Sequence, residues 1–296
     1  MALLVACFFS VSAALAESTP IVVFVTVPPQ ASVVRDVGGP HVVVHSLVAP
    51  GQDPHLYEPT PKQTRLLGKA QVFFTIGLPL EKAVLRKIHG HLPNMKVVDS
   101  ARGLAKRSGC DCGHDHGESS HTHHAHHDHG GKSDGDPHVW LSPDGLQAIA
   151  KNAAETLAKI DPEHKNDFEK RLKKVRQSID KADSRIRAKL APYRGRSVYV
   201  FHPAFGYFCD AYGLKQKAVE VDGRSPSARQ LRELVHQAKK DGTHAIFVQK
   251  QFDRKGAKVV ADALGARLIA IDPLAEDAVE NLERIGQAIT SGLEKK

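Results

Sequence analysis

The sequence predicts an α/β protein with two lobes, each built on a four-stranded parallel sheet with flanking helices, and joined by one long rigid helix. Three observations lead to this prediction. The chain has 296 residues, which is long for one domain and comfortable for two. In each half, short β-branched runs alternate with helical patterns, as in parallel sheets covered on both faces. Between the halves lies an unbroken amphipathic pattern instead of a glycine- or serine-rich linker.

In the first half, four short apolar runs predict strands, and the segments between them predict helices. The predicted strands are residues 21–27, 41–47, 72–76 and 97–98. The predicted helices are residues 29–37, 61–69 and 79–88.

Two helices are predicted between the halves, over residues 143–160 and 162–190. The second helix carries one apolar stripe at steps of three or four residues. Its members are Phe168, Leu172, Val175, Ile179, Ala182, Ile186 and Leu190. Such a helix would span about 43 Å at ~1.5 Å per residue, and as a stiff strut it should let the lobes move little.

The second half repeats the alternation of the first. Its predicted strands are residues 197–201, 218–221, 245–249 and 267–271. Its predicted helices are residues 204–212, 226–240, 254–264 and 276–290. Ser225 followed by Pro226 predicts an N-cap with proline at the first helical position.

The predicted domain organisation has four parts. Residues 1–16 are a signal peptide, residues 17–141 an N-terminal lobe that includes a histidine-rich loop at 108–135, residues 142–194 a helical connection with the linker helix 162–190, and residues 195–296 a C-terminal lobe.

The N-terminus predicts export to the periplasm. Residues 1–16 are apolar and end in Ala14-Leu15-Ala16, a signal-peptidase pattern, although no basic residue precedes them. A lipid anchor at Cys7 is the less favoured alternative, because the apolar run continues past it. After cleavage Cys110, Cys112 and Cys209 remain, which is not a disulfide scaffold.

The net charge of +8 does not predict nucleic-acid binding. No basic patch interleaved with aromatic residues and no known reader motif is present. Much of the positive charge lies on the long helix among acidic residues, which indicates a solvated face.

Three histidines and one aspartate follow predicted strands, each in a proline-marked turn: His55, His138, His202 and Asp272. Ligands of parallel α/β sheets collect beyond the carboxyl ends of the strands, so two groups from each lobe would meet at the interlobe cleft. Three imidazoles and a carboxylate fit tetrahedral Zn²⁺, at about 2.0–2.2 Å per bond. Glu58 or a water molecule is the alternative fourth ligand.

Each motif also has a simpler interpretation, since a single Asp-Pro-His is usually a turn with a capping aspartate. The shared topological positions favour metal ligands. The isolated histidines are expected to have surface or structural roles: His41, His45, His89, His91, His164, His236 and His244.

A histidine tract lies between the first two ligands, in a low-complexity segment that should be a mobile loop without metal. Such a loop lacks fixed geometry, so its metal sites should be weaker and multiple. The candidate ligands are His114, His116, His121, His123, His124, His126, His127 and His129.

Together these motifs resemble the ZnuA-type zinc-binding proteins of bacterial ABC importers. The matching segments are Asp53-Pro54-His55 with Tyr57-Glu58-Pro59-Thr60-Pro61, Asp136-Pro137-His138-Val139-Trp140-Leu141, His202-Pro203-Ala204-Phe205-Gly206-Tyr207-Phe208, Ser225-Pro226-Ser227 and Asp272-Pro273-Leu274. The resemblance implies a metal in the cleft, docking onto a membrane permease, and the ligand positions His55, His138, His202 and Asp272. Manganese-importing members tend to carry a carboxylate at the position of His202, so the resemblance favours zinc.

The leading hypothesis is therefore a monomeric periplasmic protein that captures zinc for an ABC permease and is not an enzyme. One alternative is a manganese or iron protein of the same fold, which the imidazole ligands disfavour. A second is a zinc hydrolase with an open water position, although no His-Glu-x-x-His motif is present. A zinc metallochaperone is the third, and a separate periplasmic metallochaperone is a further candidate partner.

Overall fold

Two separate four-stranded parallel sheets, one in each half of the chain, organise the computed structural model and confirm the predicted fold class. The structure describes residues 19–88, 94–108, 135–220, 226–251 and 254–294. The predicted signal peptide and the histidine tract lie outside these residues. The boundaries of the predicted domains at 141/142 and 194/195 stay a proposal.

The first sheet has the strand order β2-β1-β3-β4. Its strands are β1 (Ile21–Val25), β2 (Val42–Ser46), β3 (Val72–Thr75) and β4 (Lys96–Asp99). The helices between them are α1 (Pro28–Gly38), α2 (Pro61–Leu67) and α3 (Pro79–Ile88). Buried Val, Ile and Phe side chains on β1 and β3 explain why these two strands occupy the centre of the sheet.

Two helices connect the halves, α4 (Pro143–Ile160) and α5 (Lys165–Leu190). The long helix predicted from residue 162 is present, and its first turn, Pro162–His164, is a 3₁₀ helix that leads directly into α5. The carboxylate of Asp161 accepts a hydrogen bond from the His164 backbone N–H at 3.3 Å, which closes this tight turn before α5 begins.

The apolar stripe of α5 is buried as predicted, apart from the partly exposed Leu172. The helix packs against α1 and α4 from the first half and against the last helix of the chain. Phe168 and Ile186 belong to one continuous apolar core that includes Trp140 of the first half and Phe205 of the second. This shared core supports the interpretation of α5 as a strut.

The second sheet repeats the order of the first, as β6-β5-β7-β8. Its strands are β5 (Ser197–Val200), β6 (Lys215–Ala218), β7 (Ala245–Gln249) and β8 (Arg267–Ile271). Its helices are α6 (Gly206–Tyr212), α7 (Ala228–Lys240), α8 (Arg254–Leu264) and α9 (Ala278–Leu293). Among the described residues, no helix is both long and apolar enough to cross a membrane.

Two local predictions in this half are wrong. The strand predicted at 218–221 starts earlier, at Lys215, because β6 is an edge strand whose place is set by pairing with β5 and not by apolar side chains. Helix α7 is capped by Ser227 and not by Ser225. The Ser227 hydroxyl accepts from the Gln230 N–H, and the Gln230 side chain accepts from the Ser227 N–H, so the two form a capping box.

Candidate metal centre

Both Asp-Pro-His motifs form the same turn. Asp53 Oδ1 accepts a hydrogen bond from the His55 N–H at 2.8 Å, and Asp136 Oδ1 accepts one from the His138 N–H at 3.0 Å. The simpler interpretation as turns with a capping aspartate is therefore correct for both. The same turns fix where each imidazole leaves the backbone, so capping and ligand placement are compatible.

His202 is held at the carboxyl end of β5 by a glutamine from β7. The His202 N–H donates to Gln249 Oε1 at 3.2 Å, and Gln249 Nε2 donates back to the His202 carbonyl oxygen at 2.5 Å. Gln249 is completely buried. This reciprocal pair holds His202 between the carboxyl ends of β5 and β7, where the connections that follow these two strands run to opposite sides of the sheet. That is the usual ligand position in an open parallel sheet.

The structure brings the three histidines together. Their ring centroids are 5.6 Å apart for His55 and His138, 5.0 Å for His55 and His202, and 5.4 Å for His138 and His202. One donor nitrogen from each ring lies within 4.8 Å of the others. Zn–N bonds of about 2.0–2.1 Å in a tetrahedron put the nitrogens about 3.3 Å apart, so a modest contraction would close the cluster on an ion.

Two buried carboxylates orient the rings from behind. His138 Nδ1 lies 2.8 Å from Asp136 Oδ1, and His202 Nδ1 lies 2.5 Å from Glu220 Oε1. Because Nδ1 of each ring faces a carboxylate, Nε2 is the nitrogen that an ion could use. Carboxylate–histidine pairs of this kind fix the tautomer and raise the basicity of the ligand nitrogen.

Neither orienting role was predicted from the sequence. Asp136 carried a local signal, since an aspartate two residues before a histidine can bond both its backbone and its ring. Glu220 carried none, because it follows a different strand and meets His202 only through the pairing of β5 with β6.

Asp272 lies outside the histidine cluster. Its Oδ1 accepts hydrogen bonds from Gln251 Nε2 at 2.8 Å and from the Leu274 N–H at 2.9 Å, and its Oδ2 lies 3.7 Å from Lys250 Nζ. The Leu274 bond makes Asp272-Pro273-Leu274 a third turn of the Asp-Pro type. The role of Asp272 as fourth ligand stays a prediction. Glu58 is exposed and is also outside the cluster.

Residues from both halves line the cleft around the rings, among them Pro54, Trp140, Ala204 and Leu274. These walls are mostly apolar. The Trp140 ring lies 5.3 Å from the His138 ring, so the indole packs beside one of the candidate ligands. A polar cluster held in an apolar cleft between two lobes is a common arrangement for a small-ligand site.

The surroundings lower the pKa of two of the imidazoles. Desolvation, followed by the neighbouring His138 and His202, lowers the pKa of His55 to about 3. Desolvation also lowers the pKa of His138, although Asp136 opposes the shift. Both rings are therefore neutral near pH 7, which is the form that binds a cation without first losing a proton.

A polar network ties Asp136 to the second half. Arg107 Nε lies 3.6 Å from Asp136 Oδ2, and its guanidinium also bonds Asp210 and the Gly206 carbonyl oxygen of α6. Tyr207 Oη donates to the Asp136 carbonyl oxygen at 3.1 Å and accepts from the Arg107 N–H at 3.0 Å. The orientation of His138 thus depends on side chains from both lobes.

The histidine tract, with Cys110 and Cys112, lies outside the described residues. Cys209 is buried and free, and desolvation raises the pKa of its thiol to about 12. A protonated thiol is a poor metal ligand, so Cys209 has a packing role in α6.

The chain is similar to known metal-binding proteins over nearly its whole length. A family model described as zinc-uptake complex component A, periplasmic (ZnuA), matches residues 23–290. A crystal structure of ZnuA superposes with a TM-score of 0.82 and 32% identity, covering 93% of this chain and 100% of that chain.

Of two sequence relatives, one has a name that gives no particular metal and the other is named for manganese. A putative metal-binding protein of Treponema pallidum (strain Nichols) is 29% identical over 280 residues, covering 94% of this chain and 86% of the relative. The manganese ABC transporter substrate-binding lipoprotein PsaA of Streptococcus anginosus is 26% identical over 277 residues, covering 88% of this chain and 86% of the relative.

Proposed function

The chain belongs to the ZnuA family of periplasmic zinc-uptake components, and we propose on this basis that it captures zinc in the periplasm and delivers it to the permease of an ABC importer. Its fold is that of the metal-binding substrate-binding proteins of ABC transporters. Such components bind a metal ion and pair with a membrane permease. The identity of the metal, the periplasmic location and the delivery step are the parts that we propose.

The convergence of His55, His138 and His202 is the observation that carries the proposal. All three donors are imidazole nitrogens, and the Nδ1 atoms of His138 and His202 each face a buried carboxylate. Imidazole suits zinc, whereas manganese prefers more oxygen ligands in a roughly octahedral shell. We assign the fourth position to Asp272, whose turn borders the cleft through Pro273 and Leu274.

A manganese-binding role is the second candidate. The similarity to the manganese protein PsaA favours it. With Asp272 as a ligand, however, the set would still contain three nitrogens and one carboxylate. That composition keeps zinc as the better match.

Hydrolysis is disfavoured by the positions of the nearest carboxylates. Asp136 and Glu220 are each engaged with the Nδ1 of a cluster histidine, behind the ring and away from where a metal-bound water would lie. A general base must reach the proton that it removes. We therefore propose a binding protein and not an enzyme, and an assay with chromogenic esters and peptides tests this.

The deciding experiment is metal analysis of protein purified without a histidine tag, followed by chelator competition for zinc and for manganese. We expect one tight zinc equivalent per chain. It should be lost or strongly weakened in His55→Ala, His138→Ala and His202→Ala, and kept in His236→Ala, which removes an exposed histidine that belongs to neither candidate metal group. Tighter binding of manganese than of zinc by the wild type would favour the second candidate instead.

A further inference from the structure

A second group of histidine and aspartate side chains lies near the amino end of β2, at the end of the first sheet that faces away from the cleft. His41 ends the 3₁₀ turn before β2, whereas His55 follows the carboxyl end of the same strand. His164 ends the 3₁₀ turn before α5. The five residues of β2 span about 16 Å at ~3.3 Å per residue, and none of the cleft histidines belongs to the second group. The group is thus independent of the cleft.

The two imidazoles of this group are stacked. Their ring centroids are 3.9 Å apart, with 26° between the ring planes. His164 Nδ1 lies 2.6 Å from Asp161 Oδ2, and His41 Nε2 lies 3.1 Å from Asp167 Oδ2. One donor atom each from His41, Asp161 and His164 falls within 4.8 Å of the other two. Within the described ranges, only the cleft histidines form another such group.

The surrounding contacts hold this group in place. The His41 ring packs edge-on against the buried Phe168, with 5.6 Å between centroids. Asp161 Oδ1 caps the turn through the His164 N–H, and Arg171 Nε donates to Asp167 Oδ2 at 3.2 Å. The side chains of His41, Asp161 and His164 are 17%, 18% and 31% exposed, so an ion from solvent can reach them.

We propose that His41, Asp161 and His164 bind a second divalent transition-metal ion of the zinc class. Two imidazoles and a carboxylate form a donor set for zinc, nickel or copper, and not for calcium or magnesium. The ion takes the place of the proton shared by His164 Nδ1 and Asp161 Oδ2. These atoms separate from 2.6 Å to about 3.3 Å when both coordinate one zinc ion. The rings must also tilt out of their stack, so this site binds more weakly than the cleft.

This proposal replaces the expectation that His41 and His164 have only surface or structural roles. Sequence spacing did not indicate a site, because one histidine precedes β2 and the other precedes α5. Only the packing of α5 against the first half brings them together.

Zinc-soaked crystals of the full chain test the position of the ion. Anomalous differences measured on both sides of the zinc absorption edge should show a peak among His41, Asp161 and His164, in addition to any peak in the cleft. This measurement separates the two sites directly, so a missing cleft peak would bear on the proposed function and a missing peak here would overturn this proposal alone.

Equilibrium dialysis at rising free zinc tests the site in solution. His41→Ala and His164→Ala should each remove one weak zinc equivalent from the full chain, and His236→Ala should remove none. Asp161→Asn is the control for folding, because asparagine caps a helix as well as aspartate. It should leave the melting temperature without zinc unchanged and weaken this equivalent on the order of tenfold or more. If His41→Ala, His164→Ala and Asp161→Asn all bound as much zinc as the wild type, the group would be only a capping network.

Discussion

The indole Nε1 of Trp140 donates a hydrogen bond of 2.8 Å to the carbonyl oxygen of Pro273. Trp140 lies two residues after the candidate ligand His138, and Pro273 follows Asp272, so this bond joins the two halves of the chain beside the candidate metal centre. Both groups are buried. The bond therefore couples the stability of the lobe interface to the geometry of the cleft.

Trp140→Phe removes this bond and keeps an aromatic ring in the cleft wall. We expect the free energy of unfolding to fall by about 1–2 kcal/mol, because the buried carbonyl oxygen of Pro273 loses its donor. Chemical denaturation of the metal-free protein measures this. Tyr193→Phe, which changes a partly buried aromatic residue away from the cleft, is the matched control. Equal stability of Trp140→Phe and wild type would contradict the importance of the bond.

Glu220→Gln tests the orienting carboxylate behind His202. Glutamine can still accept a hydrogen bond from Nδ1 but carries no charge, so the imidazole becomes a weaker base. We expect zinc affinity to fall by about 10- to 100-fold, the usual effect of removing such a partner of a metal ligand. Chelator competition measures the affinity. Glu233→Gln, at an exposed position on α7, should leave it unchanged.

His202→Glu tests metal selectivity. The change replaces a nitrogen donor by oxygen, so zinc should bind more weakly and its preference over manganese should narrow. Zinc is still expected to bind more tightly, because it stands above manganese in the intrinsic affinity series. Competition titrations of both proteins with both metals give the ratio directly. A ratio that does not change would mean that His202 does not contact the ion.

The pH dependence follows from the lowered pKa of His55 and His138. A free imidazole, with a pKa near 6.5, would begin to lose zinc to protons below about pH 6. Desolvation lowers the pKa of His55 to about 3 and also lowers that of His138, so protons compete for these two candidate ligands only at lower pH. We expect zinc affinity to fall by no more than about tenfold per pH unit between pH 6.5 and pH 5, because at most one of the three imidazoles takes up a proton there. A loss of about a hundredfold or more per pH unit over this range would contradict this.

The same lowered pKa values predict that the metal-free protein becomes less stable as the pH falls. Its unfolded chain binds protons near pH 6.5, whereas the folded chain resists protonation at His55 and His138. Stability from these groups is therefore present above pH 6.5 and is lost as pH falls below it. Melting temperatures of the metal-free protein between pH 8 and pH 5 measure this decline, and His55→Ala should make it shallower.

Deletion of residues 110–130 tests the histidine tract. The cleft equivalent should remain nearly unchanged, while the additional weaker equivalents disappear. Loading of the cleft at scarce zinc should also slow, because the tract would raise the metal concentration nearby. Calorimetry counts the equivalents. The same zinc count before and after deletion would show that the tract binds no metal under these conditions.

Local patterns in the sequence were enough to predict the fold class. Strands β7 and β8 and helices α4 and α8 have the predicted bounds, because apolar strands and amphipathic helices carry their pattern in their own side chains. Edge strand β6 was displaced, since its bounds depend on the neighbour with which it pairs. His55, His138 and His202 could be singled out because each stands in a proline-marked turn at the end of a strand.

Only the tertiary structure decided how these histidines are used. Glu220 reaches His202 through the pairing of β6 with β5, and Asp272 accepts a hydrogen bond from Gln251 in a turn that borders the cleft. The stacking of His41 on His164 likewise depends on where α5 packs. The sequence of this chain determines which side chain follows which strand, because that relationship is local. Distances between side chains from different strands depend on packing across the whole core, and no local pattern contains them.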